Sequence, residues 1–252
     1  MTESLLELLE AESGIVCAVG AGGKKTVLNL LCAHHPGRVA LTASVGTTRF
    51  PPLPGLEVVV EEDEQALTDR IRQAPGTAKV AYARPTDKPG RLGGVSMQLI
   101  ERVHAEGGFA ASYVKADGAR MRWIKAPAPD EPVIPPACTT LIGVVSARAI
   151  GQPFDERVAH RLERLSRVTD IARTEPISPA HVGRLIAHPE GLMKRAEGRA
   201  MVAVINMVDD AVREVLAREA AEAALDLAPR LDRVVLARLN HPEAPVVAVI
   251  RR

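Results

Sequence analysis

Short apolar runs recur along this chain, each followed by a longer stretch with helical spacing, and that alternation constrains the fold more than any other feature. "GIVCAVG" (14–20) is apolar without a polar side, and "GRVALTA" (37–43), "EVVV" (57–60), "AKVAYA" (78–83) and "FAASYVKAD" (109–117) follow it. "TTLIGVVSA" (139–147), "AMVAVIN" (200–206), "RVVLARL" (233–239) and "PVVAVIRR" (245–252) complete the strand inventory. Runs that are apolar on both faces belong in a mostly parallel sheet covered by helices. Helices are expected over "KKTVLNLLCAHH" (24–35), with Val27, Leu30 and Leu31 on one face, over "EQALTDRIRQA" (64–74) and over "SMQLIERVHAE". No internal repeat is visible.

Two segments break the alternation. "KAPAPDEPVIPPA" (125–137) holds five prolines in thirteen residues and reads as an extended, hydrogen-bond-poor crossing segment, with Asp130 and Glu131 exposed to solvent on a stiff backbone. Residues 151–198 contain "DERVAHRLERLSRV" and "SPAHVGRLIAH", a helix pair inserted between strands, the second with Ser178 as N-cap and Pro179 in its first turn. Arg157, Arg161 and Arg164 fall on one face of the first helix and read as a solvated face rather than an anion clamp. Both segments are candidates for a lid over the carboxyl ends of the strands, where ligands bind in such sheets.

"AVGAGGKKTVL" (18–28) joins the first strand to the first long helix through a glycine-rich turn. That order aims backbone N–H groups and the positive end of a helix dipole at one point, a place for an anion. Gly20, Gly22 and Gly23 allow positive φ and close approach of phosphate oxygens, with Ala21 between them. Lys24 would reach the phosphates, and a neighbouring hydroxyl would ligate Mg²⁺. The spacing GxxxxGK[ST] is not met: Ala18 stands at the first glycine and Lys25 at the hydroxyl position, with Thr26 one residue further on. Even so, strand, turn and helix together predict a P-loop-like, three-layer α/β fold in a single domain over 1–252.

Two more strand ends carry candidates. "KADGA" (115–119) puts Asp117 where an acid can hold a metal or its water. "NMVDD" (206–210) resembles the NKxD motif with which GTP-binding proteins read the base, Asn206 and Asp209 matching and Met207 standing for lysine.

Composition removes other classes. A net charge of +1 gives no global attraction to nucleic acid or anionic membrane, and 2% aromatic residues leave few stacking platforms for single strands. "MTESLLELLEAES" has four glutamates and no basic segment, so it reads as an amphipathic helix and not a signal peptide. With no apolar run of membrane-spanning length, a cytoplasmic protein is expected. Cys17, Cys32 and Cys138 lack CxxC spacing and read as buried thiols.

Taken together, "VGAGGKKT", "TTRFPP" (47–52), "KADGARMRWIKAPAPDEPVIP" (115–135), "HPEGLMK" (188–194) and "INMVDD" (205–210) resemble the YqeC-like family of accessory proteins of selenium-dependent molybdenum hydroxylases. The resemblance implies a P-loop fold, a nucleoside triphosphate ligand (GTP or ATP), and a part in maturing a molybdenum-containing cofactor or a hydroxylase client. Three residues depart from the family's pattern: Lys25 for threonine, Lys115 for glutamate and Met207 for lysine. Either Thr26 supplies the hydroxyl, with Asp117 as the acid, or lysines and backbone amides hold the anion and hydrolysis is poor or absent. The second is preferred, which leaves Mg²⁺ doubtful. The expected function is thus nucleotide or phosphorylated-cofactor binding, with Gly20–Thr26, Asn206 and Asp209 as binding residues and Lys24 and Asp117 as the catalytic candidates. The alternatives are an active Mg²⁺-dependent NTPase, kinase or nucleotidyltransferase, and a non-enzymatic scaffold.

Overall fold

The computed structural model describes residues 3–76 and 79–252. Met1 and Thr2 of the expected first helix, and Ala78 of the strand expected from 78, lie outside them. The fold is α/β, of the P-loop-like three-layer class, with strands β1 (Gly14–Gly20), β2 (Val39–Ala43), β3 (Thr47–Thr48), β4 (Leu56–Val60), β5 (Lys79–Ala83), β6 (Arg91–Leu92), β7 (Ala111–Lys115), β8 (Ile124–Lys125), β9 (Cys138–Ser146), β10 (Ala159–His160), β11 (Ala200–Asn206), β12 (Arg233–Ala237) and β13 (Val246–Arg251). Helices are α1 (Leu5–Leu8), α2 (Lys24–His34), α3 (Glu64–Gln73), α4 (Met97–Glu106), α5 (Leu162–Thr169), α6 (Pro179–Ala187) and α7 (Ala211–Leu227). The main sheet has nine strands in the order β13-β12-β11-β9-β1-β7-β2-β5-β4. The chain divides into two compact units.

The first unit comprises 1–18, 27–118 and 133–140. Here β7 runs parallel to β1 (Gly14↔Ala111 to Ala18↔Lys115) and to β2 (Val39↔Ala111 to Ala43↔Lys115). Their residues are buried almost without exception, as the unbroken apolar runs require, whereas the outer strand β4 exposes Glu57 and Val58. Asp63 caps α3 and Ser96 caps α4, each side chain accepting a first-turn N–H. The N-terminal helix is one turn, not the longer amphipathic helix expected. It is amphipathic as expected, with Leu5, Leu6, Leu8 and Leu9 buried and Glu7 and Glu10 exposed, but Glu10 at φ 49° turns the chain away after that one turn. On α2 the buried apolar residues include Val27, Leu28, Leu31 and Cys32, whereas Leu30 is half-exposed, so the expected face is rotated by a residue.

The second unit comprises 19–26, 119–132 and 141–252. Strands β11 and β12 are parallel, and β13 returns antiparallel along β12. Helices α6 and α7 cross on small residues: a methyl group at Gly183 would lie 2.7 Å from the Ala223 Cβ, and α7 buries Ala217, Ala220, Ala221 and Ala224. The Ser178 cap of α6 is present as expected, reinforced by His181 bonding back to the Ser178 N–H. The first inserted helix differs from expectation. It starts at Leu162, because 155–160 form a turn and the short strand β10 paired with β8, and Arg161 at φ 66° marks the break. Arg157 therefore leaves the face expected to carry it with Arg161 and Arg164, and pairs with Asp155 at 2.7 Å.

The proline segment is also corrected. Prolines remove N–H donors but keep their carbonyl acceptors. Arg164 Nε donates to the Pro127 carbonyl at 2.6 Å, Lys194 Nζ to Ala128 at 2.8 Å, and Arg195 to Pro132 at 2.6 Å. Glu131 is not solvent-exposed: Lys125 Nζ, whose side chain is 0% exposed, lies 2.6 Å from it and Arg161 2.5 Å. Asp130 is exposed as expected. The Arg161 guanidinium is thus a clamp on an internal carboxylate, not part of a solvated face.

Candidate functional site

The glycine turn that follows β1 lies in the second unit together with the ends of β9 and β11. Gly20, Gly22 and Gly23 all adopt positive φ, at 93°, 79° and 148°. Gly23 tolerates nothing larger, since an added Cβ would stand 2.3 Å from the Asn206 amide nitrogen in a conformation that L side chains rarely adopt. The turn is fixed from two strands. The Ala21 N–H donates to the Val144 carbonyl at 2.8 Å, and Asn206 Nδ2 donates to the Gly22 carbonyl at 2.8 Å. Asn206 is 2% exposed, and its Oδ1 accepts the Leu239 N–H at 3.0 Å. The side-chain amide of the "NMVDD" segment therefore braces the turn.

Helix α2 opens at Lys24, so the turn delivers the chain directly into a helix N-terminus. Lys24 is 6% exposed, and its ammonium donates to the Gly20 carbonyl, folding the charge back inside the turn. Lys25 and Thr26 are half-buried on the first helical turn.

Beyond Asn206, Met207 takes φ 63° and its sulfur accepts a bond from the Ser146 hydroxyl at 3.0 Å. Asp209 does not face an open space. Its Oδ2 takes two bonds from Arg148, at 2.7 Å from Nη2 and 3.1 Å from Nε. Asp210 caps α7 by accepting the Arg213 N–H at 2.8 Å, which explains the second acid of "NMVDD".

Asp117 and Lys115 belong to the first unit. Asp117 is 1% exposed, two residues past the end of β7, and the Lys115 ammonium donates to the Gly46 carbonyl at 2.9 Å. Among the described residues no group of three or more His, Cys, Asp or Glu is clustered so as to hold a metal.

Ser146, Arg148 and Leu192 were not singled out from the sequence. Ser146 lies against Gly22, where an added Cβ would come within 2.8 Å of its backbone nitrogen, and Leu192 lies against Gly20. Ser146 ends a buried strand as Gly20 and Asn206 do, and that shared position was the signal available. The three cysteines are buried, and burial pushes the Cys32 thiol up to about 11 against a smaller opposing pull from Lys79. No helix of the described residues is long and apolar enough to cross a membrane.

A family model described as "YqeC protein" matches residues 16–163. The chain is also similar to "Uncharacterized protein YqeC" of Escherichia coli (strain K12), 25% identical over 184 residues that cover 71% of this chain and 70% of that one. No solved structure matches it.

Proposed function

The chain belongs to the YqeC family, and from that premise we propose that it binds the phosphate groups of a nucleotide or phosphorylated cofactor at Gly20–Thr26. The observation that carries this reading is the braced turn itself. Three glycines at positive φ lead straight into a helix, around a buried lysine whose ammonium donates to the turn's own Gly20 carbonyl. Holding backbone in this form costs of order 1–3 kcal/mol wherever a side chain is present, and a plain β–α connection has no need of it. A phosphate entering the turn would offer Lys24 a stronger, charge-assisted acceptor than a carbonyl.

The part in maturing a molybdenum enzyme is supported by the resemblance of the 115–135 block and is proposed on that ground. Mg²⁺ usually binds through one or two carboxylates plus the phosphates of its ligand. The sequence offers the Thr26 hydroxyl and the Asp117 carboxylate as candidates, but Lys25 stands at the position where the hydroxyl is expected. Lysine-held phosphate is therefore the reading we favour over Mg²⁺-dependent turnover.

Calorimetric titration with ATP, GTP and inorganic tripolyphosphate tests it. Lys24→Ala should weaken binding by roughly ten- to a hundred-fold, the worth of a charged hydrogen bond. Affinity should fall with added salt and change little with Mg²⁺. Unchanged affinity in Lys24→Ala removes the loop assignment, and ordinary turnover with strict Mg²⁺ dependence moves Thr26 and Asp117 into catalytic roles.

A further inference from the structure

Arg148 and Asp209 form an ion pair whose two ends are both rooted in residues that touch the glycine turn. Arg148 follows β9 by two residues, and its N–H donates at 3.2 Å to the Oγ of Ser146, the residue packed on Gly22. Asp209 follows by three residues Asn206, which bonds the Gly22 carbonyl and sits where a Gly23 side chain would be. The guanidinium, 44% exposed, is thus held between two segments that each touch the turn, and the carboxylate that holds it is 25% exposed. Exposed pairs of this kind contribute little to stability, with a median of about 0–1 kcal/mol, so the pair is cheap to exchange. A guanidinium matches the oxygens of a phosphate as well as those of a carboxylate, in the same two-pronged geometry.

We propose that Arg148 is a further ligand of the phosphate bound at the turn, and that Asp209 is its resting counter-ion rather than a reader of the base. The inference rests on the phosphate-binding reading of Gly20–Thr26 and deepens it: the ligand class is a polyphosphate, whose outer oxygens extend beyond the turn to a second cation. On binding, the Arg148 side chain leaves Asp209 and closes on the phosphate, while the Ser146, Asn206 and Ala21 bonds that brace the turn stay in place. Arg148 then acts alongside Lys24, one cation inside the turn and one at its rim.

The test measures tripolyphosphate and GTP binding to the full chain and to Lys24→Ala, Arg148→Ala, Arg148→Lys and Asp209→Asn, with thermal unfolding recorded for each. Arg148→Ala should lose at least about tenfold in tripolyphosphate affinity and show a shallower salt dependence, with Arg148→Lys between it and the wild type. Asp209→Asn should bind tripolyphosphate several-fold more tightly, because the competing counter-ion is gone. A purely structural pair predicts a loss in Asp209→Asn as well as in Arg148→Ala, following their unfolding temperatures. A base reader predicts that Asp209→Asn weakens GTP and leaves tripolyphosphate unchanged. Either pattern overturns the proposal, as does an Arg148→Ala variant with wild-type tripolyphosphate affinity. A wild-type protein that binds none of these probes overturns the loop reading and this inference with it, whereas binding lost only in Lys24→Ala leaves the loop reading standing alone.

Discussion

Replacing Glu131 by glutamine should destabilise the second unit strongly at neutral pH and only weakly in acid. Burial pushes this carboxyl up, but hydrogen bonds from Arg161 and Lys125 and the charges of both more than reverse it, leaving it at about 2 against an ordinary 4.5. At about 1.36 kcal/mol per pKa unit, that difference is worth about 3 kcal/mol at most. Residual exposure of 14% for Glu131 and 26% for Arg161 admits solvent screening and brings the expectation to about 2 kcal/mol. Because the folded-state value is depressed, the whole contribution is present above about pH 4.5 and is lost as the pH falls through about 2. About two-fifths of it should remain at pH 3. Glutamine keeps the shape but leaves Lys125, with a fully buried side chain, facing a neutral acceptor, so the cost at pH 7 should reach about 2–4 kcal/mol. In a chain of this size, that corresponds to a fall in Tm of roughly 5–15 °C. The assay is urea unfolding of wild type and Glu131→Gln at pH 7, 4.5 and 3. A difference below about 0.5 kcal/mol at pH 7 would refute the reasoning, since that is the range of an ordinary surface substitution. So would an equal difference at pH 7 and pH 3, which would assign the loss to packing instead of charge.

Gly23→Ala should cost about 2–4 kcal/mol and abolish phosphate binding, because its methyl group must displace the Asn206 amide and adopt a disfavoured φ. Urea unfolding with calorimetry checks it, and wild-type affinity in this variant would contradict the role given to the turn. Cys17, Cys32 and Cys138 should react with a disulfide reagent only as fast as the protein opens, since all three are buried and the Cys32 thiol is pushed up to about 11. Any thiol titrating within seconds in the native protein would refute that.

The α/β class was legible because parallel strands buried on both faces must be written as unbroken apolar runs. "AMVAVIN" became β11 with its limits unchanged. The glycine turn was legible for a similar reason, since positive φ at Gly20, Gly22 and Gly23 leaves almost no other residue possible. Local pattern also supplied the Ser178 cap. Pattern failed where polarity alone had to decide burial. Glu131, Arg161 and Lys125 are ordinary surface residues by type, and only the fold of 119–132 against 155–198 within one unit shows that each buries the others' charge. The same holds for Asn206 and Asp209. Spacing alone did not show what these side chains touch, because whether an amide braces a turn and a carboxylate holds an arginine depends on what the neighbouring strand ends bring. Arg148 sits 58 residues before Asn206 in the chain and one strand away in the sheet. Backbone conformation and strand burial are written in single residues and short runs, so sequence determines them. Charge pairing depends on distances between segments far apart in the chain, and only the tertiary structure decides those.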